Sequence, residues 1–276
     1  MEALSASVGR GISVTTTNYY LSHLKSFFVW LIGDKGTGTN PVAHLDLGNT
    51  SVDRRHCRRE LSTEEVRRLL EATRDSSRTL FGFSGEDRFV RYAMATGTGL
   101  RAAALASLTP ASFAFEADPP GVHLAARKHK SRKPRRQPLP SSLDDLLRAY
   151  LVGRPTGVPL WGGDWPERGE GAEMLRADLE AAGIPYEVQG RDGPLFADFH
   201  SLRHTHLTGL GRAGVDLRTV QELAGHSTPA LTAKYMHVRD KEMGEGVEKL
   251  PNFLPDSPSV SARRGDSGLS PVCRSA

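Results

Sequence analysis

Cysteine is nearly absent: Cys57 and Cys273 are the whole thiol content of the 276-residue chain. One sits among arginines and the other in a serine-rich tail, so neither a disulfide framework nor a cysteine zinc site is available. No apolar run approaches the ~18 residues that a membrane span needs. The longest candidate, Leu24 to Ile32, is broken by Lys25 and Ser26. The N-terminus lacks the charged and apolar blocks of a secretory leader, so a cytoplasmic location is expected, with no membrane partner. Internal repeats are absent as well. Lysine is scarce, 8 residues against 28 arginines, a bias toward planar, bidentate phosphate contacts. What remains is ordinary soluble composition, 38% hydrophobic and 25% charged. The length suits about two domains at ~100–200 residues each.

The net charge of +4 conceals two poles, +5 over residues 101–150 and −5 over residues 151–200. The basic pole is concentrated in Arg127, Lys128, Lys130, Arg132, Lys133, Arg135 and Arg136, seven of ten consecutive residues. Such a run is costly to bury and suits a polyanion, although a solvated loop would have the same composition.

Periodicity predicts a helix from Ser13 to Ile32, ended by Gly33 and Gly36, as one member of a small bundle. Asn40-Pro41 and the polar stretch from Arg54 to Arg59 read as a linker. A capping box at Ser62 and Glu65 then opens a second domain. Helices are expected at Arg88–Thr96, Arg101–Leu108, Ser141–Val152 and Glu170–Ala182. Short strands should flank the basic run, and a hairpin should turn at Asp192-Gly193. Three short helices, His200–Arg212, Asp216–Ala224 and Ser227–Val238, close the domain. The serine- and proline-rich residues after 254 read as a disordered tail.

Four separated strings stand out. Thr98-Gly99-Leu100-Arg101 opens a helix, and Lys130 follows in the basic hairpin. His200-Ser201-Leu202-Arg203-His204 comes next, then Leu223-Ala224-Gly225-His226, with Tyr235 nine residues after His226. Each residue alone is more often a packing or surface residue than a catalytic one. His200 and His204, four apart on a helix, could offer two imidazoles to a metal, but Ser201 stands where a zinc protease carries its glutamate, and no metal site is expected. The joint order resembles the tyrosine recombinases, the family of phage integrases and Xer-type and Cre-type enzymes, over about residues 60–250.

The resemblance implies a mainly α fold with a small antiparallel β-sheet (α+β), and catalytic roles for Arg101, Lys130, His200, Arg203, His226 and the nucleophile Tyr235. It implies DNA-gripping roles for Arg127, Lys128, Arg132, Lys133, Arg135 and Arg136. Residues 1–57 would form a partial helical core-binding domain with its linker, 58–254 the catalytic domain, and 255–276 the tail. The family normally has roughly a hundred residues before its catalytic domain, so a truncated start is expected here. Ala104 stands where an acidic buttress is usual, which would weaken preorganisation of the site.

The chemistry explains these residue types. A phenolic nucleophile keeps the phosphodiester energy for rejoining, guanidinium forks neutralise the non-bridging oxygens, and no metal or nucleotide cofactor is required. The implied partners are double-stranded DNA, three further copies of the chain on paired sites, and DNA-bending accessory proteins. Three alternatives remain: relaxation of DNA in the manner of a type IB topoisomerase, a truncated DNA-binding remnant without catalysis, and a helix-turn-helix reader built from residues 216–238.

Overall fold

The computed structural model describes residues 11–53, 55–124 and 135–236. Helix α1 (Val14–Gly33) begins where Ser13 Oγ accepts from the Thr16 amide. Asp53 accepts from the Val14 amide at 2.9 Å, and Arg55 donates to the Gly11 and Ile12 carbonyls, so both residues lie at the helix start. Only Thr17 and Leu21 of α1 are buried. Tyr20, Leu24 and Phe27, which the periodicity assigns to a packed stripe, are each about half exposed.

The stretch expected to be a linker contains a strand, β1 (Cys57–Arg58). Its backbone runs parallel to β6 (Gly193–Phe196), and the Arg59 amide donates to the Phe196 carbonyl at 2.9 Å. Arg59 is itself buried, bonded to Glu65 and to the Pro185 carbonyl. Backbone pairing is indifferent to side-chain polarity, which is why a run of arginines concealed a strand. β5 (Glu187–Gly190) and β6 form the expected hairpin, giving the order β1-β6-β5 with one parallel pair. Among the described residues the sheets are therefore two, and one is mixed rather than antiparallel throughout.

Two capped helices form the centre. α2 (Thr63–Arg74) carries the Ser62/Glu65 capping box, and a second box at Ser84 and Asp87 starts α3 (Gly85–Thr98) earlier than periodicity indicates. α3 runs through Gly97 because the Leu143 side chain lies 2.6 Å from where a Cβ would stand, so a glycine there admits close packing rather than a break. α3 packs against α2 and against α7 (Phe199–Arg212), burying Val90, Tyr92, Met94 and Ala95. Its buried Arg88 forks onto Asp178 at 2.9 and 3.1 Å, and the Tyr92 hydroxyl donates to the same carboxylate. Asp178 lies on α6 (Glu170–Ala181).

α4 (Ala102–Leu105) is a single turn, shorter than expected. Ala104, where the sequence reading expects an acidic buttress to be missing, is 7% exposed and belongs to the apolar core. α5 (Ser141–Leu151) has Pro140 at its N-cap and no side-chain cap. β2 (Phe113–Ala114), β3 (Gly121–Leu124) and β4 (Arg135–Pro138) make an antiparallel sheet in which Leu124 faces Arg135. The described residues on either side of 125–134 are thereby held side by side, while Arg127, Lys128, Lys130, Arg132 and Lys133 lie outside the described residues. α8 (Leu217–Ala224) and α9 (Pro229–Ala233) follow α7. The expected tail, 255–276, also lies outside the described residues.

Candidate active site

The site is built on the junction between α3 and α4. Gly99 closes α3 with φ 64°, and a Cβ there would lie 2.5 Å from the His206 ring. Glycine is needed on both counts, because the left-handed conformation disfavours a side chain and the imidazole leaves no room for one. Carbonyls at this helix end are satisfied from elsewhere: His206 Nδ1 donates to Thr96, Gln137 Nε2 to Thr98 and Arg203 Nη1 to Gly99. The turn that presents Arg101 is thus pinned by α7 and β4.

Helix α7 supplies two more of the residues. Asp198 caps it by accepting from the Ser201 amide at 3.1 Å, which sets His200 on the first turn and Arg203 one turn in. Arg203 is 4% exposed, and its Nη2 donates to the Ala224 carbonyl at 2.7 Å and to His226 Nε2 at 2.9 Å. A guanidinium has only donors, so His226 Nε2 is the accepting nitrogen and the proton sits on Nδ1. That nitrogen donates to Thr232 Oγ1 at 2.9 Å, on α9.

Tyr235 follows α9, with its amide donating to the Thr232 carbonyl at 2.9 Å. Its ring lies 6.0 Å from the His226 ring in a stacked arrangement and 4.8 Å from His204 edge-on. The Tyr235 carbonyl is pressed against Gly211, where a Cβ would approach it to 2.7 Å. Tyr235 and Met236 pack on a small core of Leu207, Val220 and Ala224. His204, weighed in the sequence as half of a metal pair, serves here as a wall for the tyrosine.

The electrostatics is dominated by positive charge. Among the described residues, neither Arg101 nor Arg203 has a carboxylate partner in an ion pair. Burial, followed by Arg101, lowers Arg203 to about 10. Burial, then Arg58, Arg203 and Arg101 in that order, lowers His200 to about 4 against the pull of Asp198. Burial, then Arg203, Arg101 and Arg135, lowers His226 to about 4. Both imidazoles are neutral at pH 7. A cavity of about 190 Å³, walled by Leu100, Ala102, Trp165, Phe199, His200 and Arg203, opens beside His200.

The structure gathers Arg101, His200, Arg203, His226 and Tyr235 from four separated strings. Lys130 lies outside the described residues. Arg135 and Arg136, grouped in the sequence with the DNA-gripping residues, have internal partners. Arg135 donates to the Leu223 carbonyl and to Gln137, joining β4 to α8, and Arg136 donates to the Pro119 carbonyl. The helix-turn-helix reading fails, because α9 has five residues and its Thr232 is buried under His226, leaving no helix long enough to read a groove. Sequence reasoning passed over His206, Thr232, Asp198 and Arg58. Only Asp198 had a local signal, as a capping aspartate three residues before Ser201.

Helices α2 to α9 with two small sheets have the fold of tyrosine-recombinase catalytic domains. The integrase of transposon Tn1549, solved with transposon right-end DNA, superposes with a TM-score of 0.67 at 17% identity, covering 90% of this chain and 83% of that one. The chain belongs to the phage integrase family, whose model matches residues 59–242. It is 28% identical over 260 residues to a tyrosine recombinase of Thermosipho africanus, covering 91% of this chain and 82% of that protein. It is 30% identical over 238 residues to the tyrosine recombinase XerC of a Mycobacterium species, covering 85% and 76%.

Proposed function

We propose that the chain is a site-specific DNA recombinase that cuts and rejoins strands through a covalent bond to Tyr235. The observation that carries this reading is the convergence of two arginines without carboxylate partners among the described residues, two neutral histidines and a tyrosine, linked through Arg203. Its substrate is double-stranded DNA, and no metal or nucleotide cofactor takes part.

Attack by the Tyr235 oxygen on a backbone phosphorus breaks the bond to the 5′ oxygen and leaves a 3′-phosphotyrosyl link. Arg101 and Arg203 neutralise the charge that builds on the non-bridging oxygens. His200, neutral at pH 7, takes the phenolic proton, and Lys130 returns one to the departing 5′ oxygen. Attack by a partner strand's 5′-hydroxyl reverses the step and restores the phosphodiester. His226, charged by the approaching phosphate, donates from Nε2 to a non-bridging oxygen once Arg203 has shifted its Nη2 bond to the anion. Four protomers on two sites complete an exchange, assisted by DNA-bending proteins, in the cytoplasm. Arg127, Lys128, Arg132 and Lys133 grip backbone phosphates on either side of Lys130, with Arg135 and Arg136 at the base of the same hairpin.

The test uses nicked duplexes recovered by binding selection from a random pool, in which loss of the short 5′ fragment traps the intermediate. The wild-type chain forms a denaturation-resistant protein–DNA adduct, and Tyr235→Phe abolishes it. An adduct that survives this substitution would remove Tyr235 from the nucleophile's role.

A further inference from the structure

β1 brings to the site a charge that the mechanism above leaves unused. The parallel register sets Arg58 beside Phe196, two residues before Asp198. Arg58 Nε donates to both carboxylate oxygens of Asp198, at 3.0 and 2.7 Å. His56 Nε2 stands 3.0 Å from the same carboxylate, its ring stacked on Phe196 at 4.6 Å. Asp198 accepts as well from the Ser201 amide, the contact that caps α7. One carboxylate therefore ties the segment leading into the catalytic domain to the helix that carries His200 and Arg203.

We propose that Arg58 is a positioning residue of the active site: by holding Asp198 it fixes the first turn of α7 and keeps the His200 imidazole in its uncharged, proton-accepting form. The proposal deepens the recombinase reading and rests on it for the role of His200.

The charged groups that act on His200 among the described residues are few. Arg58 approaches from β1, Arg101 from the start of α4, and Arg203 and Asp198 from α7 itself, while His56 reaches it through Asp198. The remaining walls are apolar, from Leu100, Ala102, Trp165 and Phe199. Asp198 is the single anion in this set and favours the charged imidazolium. Arg58 opposes it twice, by taking up the carboxylate's field and by adding its own positive charge. After burial, Arg58 is the largest influence on His200, ahead of both motif arginines, although its side chain is 40% exposed and partly screened by water. An imidazolium at position 200 has no lone pair to take the Tyr235 proton, so loss of Arg58 removes base at mildly acidic pH.

The imidazole of His200 is titrated by NMR in the full chain without DNA, its signal assigned by its loss in His200→Gln. Arg58→Gln raises the His200 midpoint by about half a unit to one unit. Arg58→Lys, which keeps the charge, recovers most of that rise, and Asp198→Asn, which keeps the cap, moves the midpoint down. A His200 midpoint unchanged by Arg58→Gln, or a rise that lysine fails to reverse, overturns the proposal. The acid limb of adduct formation on the nicked duplexes should move with the titration, which a merely structural role for Arg58 would not produce. Absence of any wild-type adduct would count against the recombinase reading, whereas the titration judges Arg58 by itself.

Discussion

Gly99 has no side chain, yet the site depends on it. With its φ of 64° and the His206 ring 2.5 Å from where a Cβ would stand, no substitution is without cost. Gly99→Ala should destabilise the fold by about 1–3 kcal/mol, of which ~1 is the left-handed backbone and the rest the displaced imidazole. Because the Gly99 carbonyl accepts from Arg203, adduct formation should fall with it. Urea unfolding measures the first effect, and an unchanged midpoint would mean that His206 does not press on this turn. Residues of this kind explain what could be read in advance. Arg101, His200, Arg203 and His226 could be picked out as candidates because each lies in a local string of distinctive order, and Tyr235 by its spacing from His226. The contacts of Gly99 with His206 and of His226 with Thr232 left no trace, since each joins residues whose side chains carry no shared pattern along the chain.

Among elements, the helices were the more legible part, because caps and apolar spacing are local signals. The Ser62 capping box marked the start of α2, whereas the box at Ser84 that starts α3 was passed over, and the hairpin β5–β6 followed from its turn. β1 was not legible, since its two residues are ordered by partners on β6. α9 was overestimated, because only five residues of the periodic segment are helical before Tyr235 must turn back onto α7. This short element positions chemistry through one hydroxyl. Thr232 Oγ1 accepts from His226 Nδ1, which commits Nε2 to face Arg203. Thr232→Val keeps the shape and removes the acceptor, freeing the ring to flip or change tautomer. Adduct formation should drop by about 10- to 100-fold with at most ~1–2 kcal/mol lost in stability, and Thr232→Ser should restore the rate. A valine variant with full activity would show that the tautomer is set elsewhere.

Over the whole molecule, the same burial that readies the histidines makes the fold sensitive to acid. His200, His206 and His226 are each lowered from 6.5 to about 4, first by desolvation, and remain neutral when folded. Between those limits the unfolded chain binds protons that the folded chain refuses, so stability is complete above about pH 6.5 and declines toward pH 4. With three such groups the slope near pH 5 is at most about 4 kcal/mol per pH unit, less where water screens them. Glu65 and Asp87 are also held low, by bonds to Arg59 and Ser62 and to Tyr150 and Ser84, against burial; their contribution is lost only below the ordinary carboxylate range. Denaturant midpoints should therefore fall between pH 6.5 and 5, before the carboxylates begin to titrate. A bound phosphate reverses the sign for His226, the histidine that meets Arg203, because an anion favours its charged form. His206, which donates to the Thr96 carbonyl in the interior, is not part of that effect. Duplex binding at pH 6 should then draw protons from the buffer, no more than one per protomer from this histidine. Calorimetry in two buffers of different ionisation enthalpy measures the uptake, and a heat independent of buffer would mean that His226 stays neutral against the phosphate.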